Sequence, residues 1–330
     1  MISRSCGLDS EGVIRMVKSR LRAVVTGAAG FIGSHLVDAL LQRQYTVVGL
    51  DNMSTGCASN LQDALESKSF TLIEGDIRNL EEVQEACRDV DVIFHLAAAT
   101  KVAESVRNPR LYHDVNVTGT LNVIMSAIKA EARRLVFASS AAVYGTPSQV
   151  PTPETAPRNP LSPYGASKVA GELFCQTVTL NNAMESVLLR FFNVYGPRQL
   201  AEGEAGVVGS FIHRALNGES LVIFGDGHQT RDFIFVEDVV EAMIRSATYQ
   251  IRDTLPFNVG TGQPLSILEL AKEVQRQNPR GSSEIVFEKT RTGDIYHSVA
   301  AVERMQHHLQ FKAQHNISQG LSKTLKEQSS

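Results

Sequence analysis

The segment LRAVVTGAAGFIGSHLVDALLQRQYTVVGLD, residues 21–51, leaves a chain few ways to fold. An apolar run reads as a buried strand (21–27), three glycines follow as G-x-x-G-x-x-G, and an amphipathic helix (31–43) leads to a second apolar strand (46–51) that ends in an acid. Gly27, Gly30 and Gly33 let the chain turn tightly and bring the helix N-terminus against a pyrophosphate, with Phe31 and Ile32 in the first helical turn. Asp51 is placed to accept from the adenosine ribose hydroxyls and to repel a 2′-phosphate, and no arginine flanks it. NAD is therefore expected over NADP.

The alternation continues. Residues 70–76, 90–98, 133–140 and 185–193 read as strands, and 111–130 and 162–180 as long helices between them. Near-continuous apolar strands separated by helices predict an α/β, doubly wound parallel sheet of the Rossmann type. After residue 193 the pattern turns irregular, with short strands at 221–225 and 231–236, and 256–260 is placed as a further strand of the main sheet. The proline-rich stretch 146–163 reads as a loop. The expected division is an N-terminal extension (1–20), a cofactor domain (21–192 with about 237–260) and a smaller mixed α/β domain (193–236 with 261–330).

Composition narrows the function by exclusion. Of 330 residues 43% are apolar, enough for a large core. The net charge of −3, without a basic block, argues against a nucleic-acid or anionic-membrane surface. No apolar run reaches transmembrane length, and the start MISRSCGLDSEGVIRMVKSR lacks a signal-peptide core, so a cytoplasmic protein is expected. Cys6, Cys57, Cys87 and Cys175 are far apart; reduced thiols and no metal site are expected.

Further along, GDIR (75–78) places Asp76 to accept from the adenine amino group, with Ile77 packing on the ring. HLAAATKV (95–102) offers small residues against which a cofactor can lie. In SPYGASKVAGE, Ser162 is a plausible N-cap and Pro163 suits the first helical position. Tyr164 and Lys168 then share one helix face as i and i+4. An ammonium near a phenol favours the phenolate and lowers its pKa, although on spacing alone a surface Tyr/Lys pair is the commoner reading.

TGAAGFIG, the DN-ST-G pattern at 51–56, GDIR, HLAA, SSAAVYG and YGASK together resemble the extended short-chain dehydrogenases/reductases, within the NAD-dependent epimerase/dehydratase family and most like its UDP-glucose 4-epimerases. The resemblance runs from about residue 21 to the C-terminus. It implies that Tyr164 is the base, that Lys168 tunes it and holds the nicotinamide ribose, and that Ser140 bonds the reacting 4-oxygen. It adds Asn52, Ser54, Thr55, Gly56, Leu96, Ala97, Ala98, Thr100, Asn116, Ser139 and Phe192 to the cofactor contacts. It places Asn193, Val222, Ile223, Phe224, Arg231, Arg291, Asp294 and Ser298 around a nucleotide sugar, the two arginines clamping the diphosphate. Ser298, where some members have a tyrosine, leaves room for an N-acetyl group.

The implied reaction is redox-neutral: hydride leaves C4 of a UDP-hexose for bound NAD as Tyr164 takes the 4-hydroxyl proton, the transient 4-keto sugar turns, and hydride returns to its other face. Related dehydratases carry Asp-Glu, and decarboxylases a Glu, where this chain has Ala141 and Ala142. Alanines cannot move the protons an elimination requires. The alternatives are a UDP-glucuronate 4-epimerase, a nucleotide-sugar dehydratase or decarboxylase, and a non-catalytic NAD-binding regulator. The resemblance also implies a homodimer through the helices near 104–129 and 162–180.

Overall fold

The computed structural model describes residues 6–8, 14–16, 20–199, 206–251, 256–278, 280, 281, 283–290, 293 and 295–328. Within the N-terminal residues, β1 (Cys6–Leu8) and β2 (Ile14–Met16) form an antiparallel pair. The first half then alternates: β3 (Arg22–Thr26), α1 (Phe31–Gln42), β4 (Thr46–Asp51), α2 (Gln62–Leu65), β5 (Phe70–Glu74), α3 (Leu80–Ala86) and β6 (Val92–His95). Next come α4 (Val102–Arg107), α5 (Pro109–His113), α6 (Thr120–Lys129), β7 (Arg134–Ser140), α7 (Pro163–Thr179) and β8 (Glu185–Phe191). The rest comprises β9 (Asn193–Tyr195), α8 (Val207–Leu216), β10 (Leu221–Phe224), β11 (Thr230–Phe235), α9 (Val236–Thr248), β12 (Phe257–Val259) and β13 (Pro264–Ser266), followed by α10 (Ile267–Gln277), β14 (Ile285–Glu288), β15 (His297–Ser298), α11 (Glu303–His308) and α12 (Ile317–Gln328).

Seven strands form one parallel sheet in the order β12-β8-β7-β6-β3-β4-β5. Its strands are buried on both faces, which is why they read as unbroken apolar runs. The chain leaves β3 towards β4 on one side and resumes with β6 on the other. That reversal opens a crevice at the strand C-termini, where sheets of this class take ligands. The run 256–260 does return to the sheet, as β12 beside β8.

One core, with Val25, Leu36, Val136, Leu189 and Phe257, fills one face, and a second, with Val24, Ile93, Leu135 and Phe137, fills the other. A third core, including Phe211, Ile223, Phe235 and Leu270, lies in a smaller lobe around β11, which pairs with β9, β13 and β15, and around the β10–β14 pair. The loop 146–163 is tied to that lobe: Thr152 N donates to Val299 O (2.8 Å), and Ala301 N donates to Thr152 O (3.0 Å). No helix among the described residues is long and apolar enough to cross a membrane.

Candidate active site

The glycine turn follows β3 directly. Gly27 has φ +71°, a left-handed conformation that favours glycine, and its N–H donates to Leu50 O (2.8 Å). A Cβ at Gly33 would stand 1.9 Å from Gly27 O, so α1 can start this close to the turn only with glycine there. Gly30 caps α1 with no side-chain partner, and a Cβ built on it meets nothing nearer than Gly27 O, at 3.2 Å. The amides of the helix N-terminus are thus open on the outer side, which fits a dinucleotide pyrophosphate. Phe31 and Ile32 are half-buried and pack towards the smaller lobe.

Asp51, nearly buried at the end of β4, accepts from Ala29 N and Met53 N, both at 2.9 Å. Those bonds fix the carboxylate and leave lone pairs for ribose hydroxyls. Asn52, Ser54 and Thr55 are exposed and Gly56 half-buried in the loop beyond it. Asn52 donates to Asp76 Oδ2 (2.8 Å), and Arg78 grips Asp76 through Nε (2.9 Å) and Nη2 (2.6 Å). Arg78 holds the Asp76 carboxyl well below the usual carboxylate range. Asp76 therefore faces the adenine side already committed to two partners.

Ile77, expected against the adenine ring, is buried in the core and packed under Gly119, where a Cβ would come within 2.6 Å of it. Leu96, Ala97 and Ala98 are half-buried beside the turn, and Thr100 is exposed. Asn116 is buried, and its amide is spent within the chain on Ala99 and Ser167, so it orders the site's walls rather than touching a cofactor with its side chain.

The reacting end lies where β7 meets α7. Ser162 caps the helix by accepting from Gly165 N (3.1 Å), with Pro163 in the first turn. A Cβ at Gly165 would be 2.7 Å from Ala142 O, so the helix start is pressed onto the turn that carries Ser140, Ala141 and Ala142. Ser140 Oγ accepts from Ala142 N (3.1 Å), and its hydroxyl acts on the nearby Tyr164 phenol, pulling that group's pKa down. Lys168, buried, donates from Nζ to Ala138 O (2.8 Å) and lies 6.0 Å from the Tyr164 ring centroid. The structure thus brings Ser140, Tyr164 and Lys168 together.

The charges behave differently from the simple pairing argument. Burial holds the Tyr164 phenol above its ordinary value, against the pull of the Ser140 hydrogen bond. Burial also pushes Lys168 down to about 8, opposed by Cys175 and Glu172. In the protein alone, desolvation therefore outweighs the pull of Ser140 on the tyrosine.

Ser139, expected as a cofactor neighbour, donates its hydroxyl to Glu172 Oε1 (2.6 Å) inside the protein. Glu172 is fully buried and takes both arms of Arg190, Nε at 2.8 Å and Nη2 at 2.7 Å. The guanidinium lies 4.7 Å from the Tyr144 ring, and Tyr144 donates to Asn258 Oδ1 (2.6 Å). Sequence reading missed this network. Its one signal was spacing, since Glu172 continues the helix face of Tyr164 and Lys168 at a further i+4.

Phe192 is buried against Tyr144, ring centroids 6.5 Å apart, and Asn193 is half-buried at the start of β9. In β10, Ile223 points into the third core, whereas Val222 and Phe224 alternate to the half-buried face. Ile223 is therefore removed from the side chains available to a substrate. Arg231 in β11 donates to Thr230 O (2.9 Å) and Tyr296 O (3.3 Å), and stands in register with half-buried Ser298. Beside it Asp232, missed in the sequence, is fully buried. It accepts from Thr261 N (2.7 Å), Gly262 N (2.9 Å) and Ala300 N (3.1 Å), locking the strands that carry Arg231 and Ser298. Arg291 and Asp294 lie outside the described residues. Among the described residues no three of His, Cys, Asp and Glu gather as a metal site.

A glycine turn at the switch point of a parallel sheet, an acid ending the next strand, and Ser140, Tyr164 and Lys168 beside them define an extended short-chain dehydrogenase/reductase. The chain belongs to the NAD dependent epimerase/dehydratase family, whose model matches residues 23–260. It is 41% identical over 307 residues to the UDP-glucose 4-epimerase of Mycolicibacterium smegmatis, covering 92% of this chain and 97% of that one. Among solved structures, it superposes on the UDP-glucose 4-epimerase of Thermotoga maritima with UDP-glucose at a TM-score of 0.88, with 34% identity over 94% of this chain and 99% of that one. A UDP-N-acetylglucosamine 4-epimerase from Methanobrevibacter ruminantium, in complex with UDP-N-acetylmuramic acid, gives a TM-score of 0.89 with the same identity and coverage. NAD is the family's cofactor, and the open N-terminus of α1 and the fixed Asp51 carboxylate fit it.

Proposed function

We propose that this protein epimerises C4 of a UDP-hexose. The observation that carries the reading is the Ser140–Tyr164–Lys168 group beside the glycine turn, followed by two alanines rather than by acids. Bound NAD supplies the acceptor and donor of hydride. Tyr164, whose phenol Ser140 pulls towards ionisation, takes the 4-hydroxyl proton and later returns it. Ser140 fixes the 4-oxygen against that phenol, and Lys168 adds positive charge close by. Ala141 and Ala142 hold no proton, so nothing at these positions assists loss of the 6-hydroxyl or of a C5 proton.

The cofactor lies on residues 21–192 with about 237–260, and the nucleotide sugar on 193–236 with 261–330. Asn193, Val222, Phe224, Arg231 and Ser298 serve as substrate contacts from the second segment. Two relatives, one carrying UDP-glucose and one named for UDP-N-acetylglucosamine, support a UDP-hexose. Ser298 is a small side chain beside Arg231, and we assign it the space for a C2 N-acetyl group. The functional unit is a homodimer through α4 and α7, whose outward faces carry apolar residues.

The test is incubation of purified protein with UDP-glucose, UDP-N-acetylglucosamine and UDP-glucuronate, with products resolved by NMR. The C4 epimer of either hexose is expected without added NAD. UDP-xylose as the product from UDP-glucuronate would replace the reading by a decarboxylase, and epimerisation of UDP-glucuronate alone would replace it by a uronate epimerase. Failure to turn over UDP-N-acetylglucosamine would remove the role given to Ser298.

A further inference from the structure

His95 ends β6 with its ring buried at 1% exposure, stacked 5.7 Å from the Phe137 ring. Nδ1 lies 2.7 Å from Thr26 Oγ1, and Nε2 lies 2.9 Å from Thr120 Oγ1. The direction of each bond follows from counting protons and lone pairs. Thr26 Oγ1 already accepts the backbone N–H groups of Leu96 and Ala97, both at 3.2 Å. Leu96 N–H is shared with Thr26 O (3.2 Å), and with its oxygen turned to these two donors Thr26 sends its own proton to Nδ1. Thr120 donates its hydroxyl proton to Asn116 O at 2.6 Å, so it accepts from Nε2–H. The ring is therefore neutral, protonated at Nε2. Burial and the Lys168 ammonium both oppose a second proton and hold the ring's pKa near 3.

We propose that His95 is a positioning residue, a strut of fixed tautomer that locks the cofactor floor to the catalytic helix. On one side it aims the Thr26 hydroxyl at Leu96 and Ala97, clasping them against the glycine turn. The approach is so close that a Cβ on Gly27 would stand 2.9 Å from Ala97 N. On the other side it anchors Thr120, and through Thr120 the carbonyl of Asn116. The Asn116 side chain accepts from Ala99 N (2.8 Å) and donates to Ala99 O (2.9 Å) and Ser167 Oγ (2.9 Å). Ser167 in turn donates to Tyr164 O (2.7 Å). Asn116 lies in a π-helical stretch, Asp114–Gly119, between α5 and α6, a local widening of the kind that often serves a site. Hydrogen bonds, passing through the body of Asn116, thus link Thr26, the residue before the glycine turn, to the backbone of Tyr164.

The proposal rests on the site being the NAD and sugar site argued above, but its tests do not use the sugar. In the enzyme as purified, labelled with 15N at histidine, long-range proton–nitrogen spectra report the tautomer of His95, identified through its bonds to the backbone. Protonation at Nε2 is expected, unchanged from about pH 5 to about pH 8.5. A ring protonated at Nδ1, or one that titrates in that range, would overturn the proposal. Thr26→Val removes the hydroxyl and Thr26→Ser keeps it. The valine variant is expected to need about tenfold more NAD for half-occupancy, the serine variant no more than the natural protein. Unchanged NAD occupancy in Thr26→Val, or an equal loss in Thr26→Ser, would show that the clasp does not act through the hydroxyl. An inactive protein with the expected tautomer and NAD occupancy would refute the epimerase reading and leave the strut standing.

Discussion

A phenol is a weak base at neutral pH unless its anion is stabilised, and burial alone works against Tyr164. The catalytic reading therefore stakes most on this residue. Tyr164→Phe is expected to lower kcat/KM by about 10²–10⁴-fold while NAD stays bound, checked by steady-state assay and by absorbance of the released cofactor. Lys168 makes a thermodynamic prediction. Its folded pKa of about 8 lies below the ordinary lysine value near 10.4. Between those values the unfolded chain holds a proton that the folded chain has shed, so this lysine's contribution to stability rises with pH across that window. In NAD-free protein, urea unfolding at pH 7 and pH 10 is expected to show the natural protein gaining stability relative to Lys168→Met. Burial raises Cys87 and Cys175, which push stability the other way at alkaline pH; comparison with the variant cancels Cys87, and making it in a Cys175→Ala background removes Cys175, whose charge is coupled to Lys168. Tyr164 and Lys168 were legible because helical spacing puts them on one face. The Ser139 bond was not legible, because the sequence does not say which way a strand-end hydroxyl turns once Glu172 is there to receive it.

Among the elements, the β7–α7–β8 layer is pinned by a charge pair with no access to water. Glu172 and Arg190 are both buried, joined by two hydrogen bonds. Removing one partner strands the other. Glu172→Leu is expected to cost about 3–5 kcal/mol in chemical denaturation, and Glu172→Leu with Arg190→Met to recover much of that loss. Strand and helix order could be read from hydrophobic period, and α7 begins one residue after its expected start at Ser162. Two boundaries could not. The strand expected over 90–98 stops at His95: Leu96 N–H is shared between Thr26 O and Thr26 Oγ1, and Ala97 N–H goes to the Thr26 side chain instead of the ladder. The helix expected over 111–130 is divided into α5, a π-helical stretch and α6. Apolar spacing does not register the extra residue that such a widening absorbs.

For the whole molecule, the smaller lobe was the hardest part to read. Its strands are two to six residues long and come from segments far apart, so no single window carries their period. That Ile223 turns its side chain into the core was not legible there, because a short strand does not declare which face is core. The homodimer is a prediction at this scale. Val102 and Val106 on α4 and Leu173 on α7 are 49%, 64% and 45% exposed, an apolar set on two helices that pack together. Val106→Asp with Leu173→Asp is expected to convert a dimer into a monomer in sedimentation velocity, and a natural protein that already sediments as a monomer would refute the dimer.

The last strand of the main sheet bears on how the chain comes off the ribosome. β12 pairs with β8 only after the chain has built β9, α8, β10, β11 and α9, and the ring of its Phe257 lies against Arg304 and His308 of α11. Until those residues emerge, β8 is an open edge with unpaired backbone groups, the kind of surface on which strands of neighbouring chains pair. The cofactor half of this protein cannot finish folding before almost the whole chain has been made. A nascent chain stalled near residue 250 is expected to bind trigger-type chaperones and aggregate when released, whereas one stalled beyond α12 is expected to be released folded.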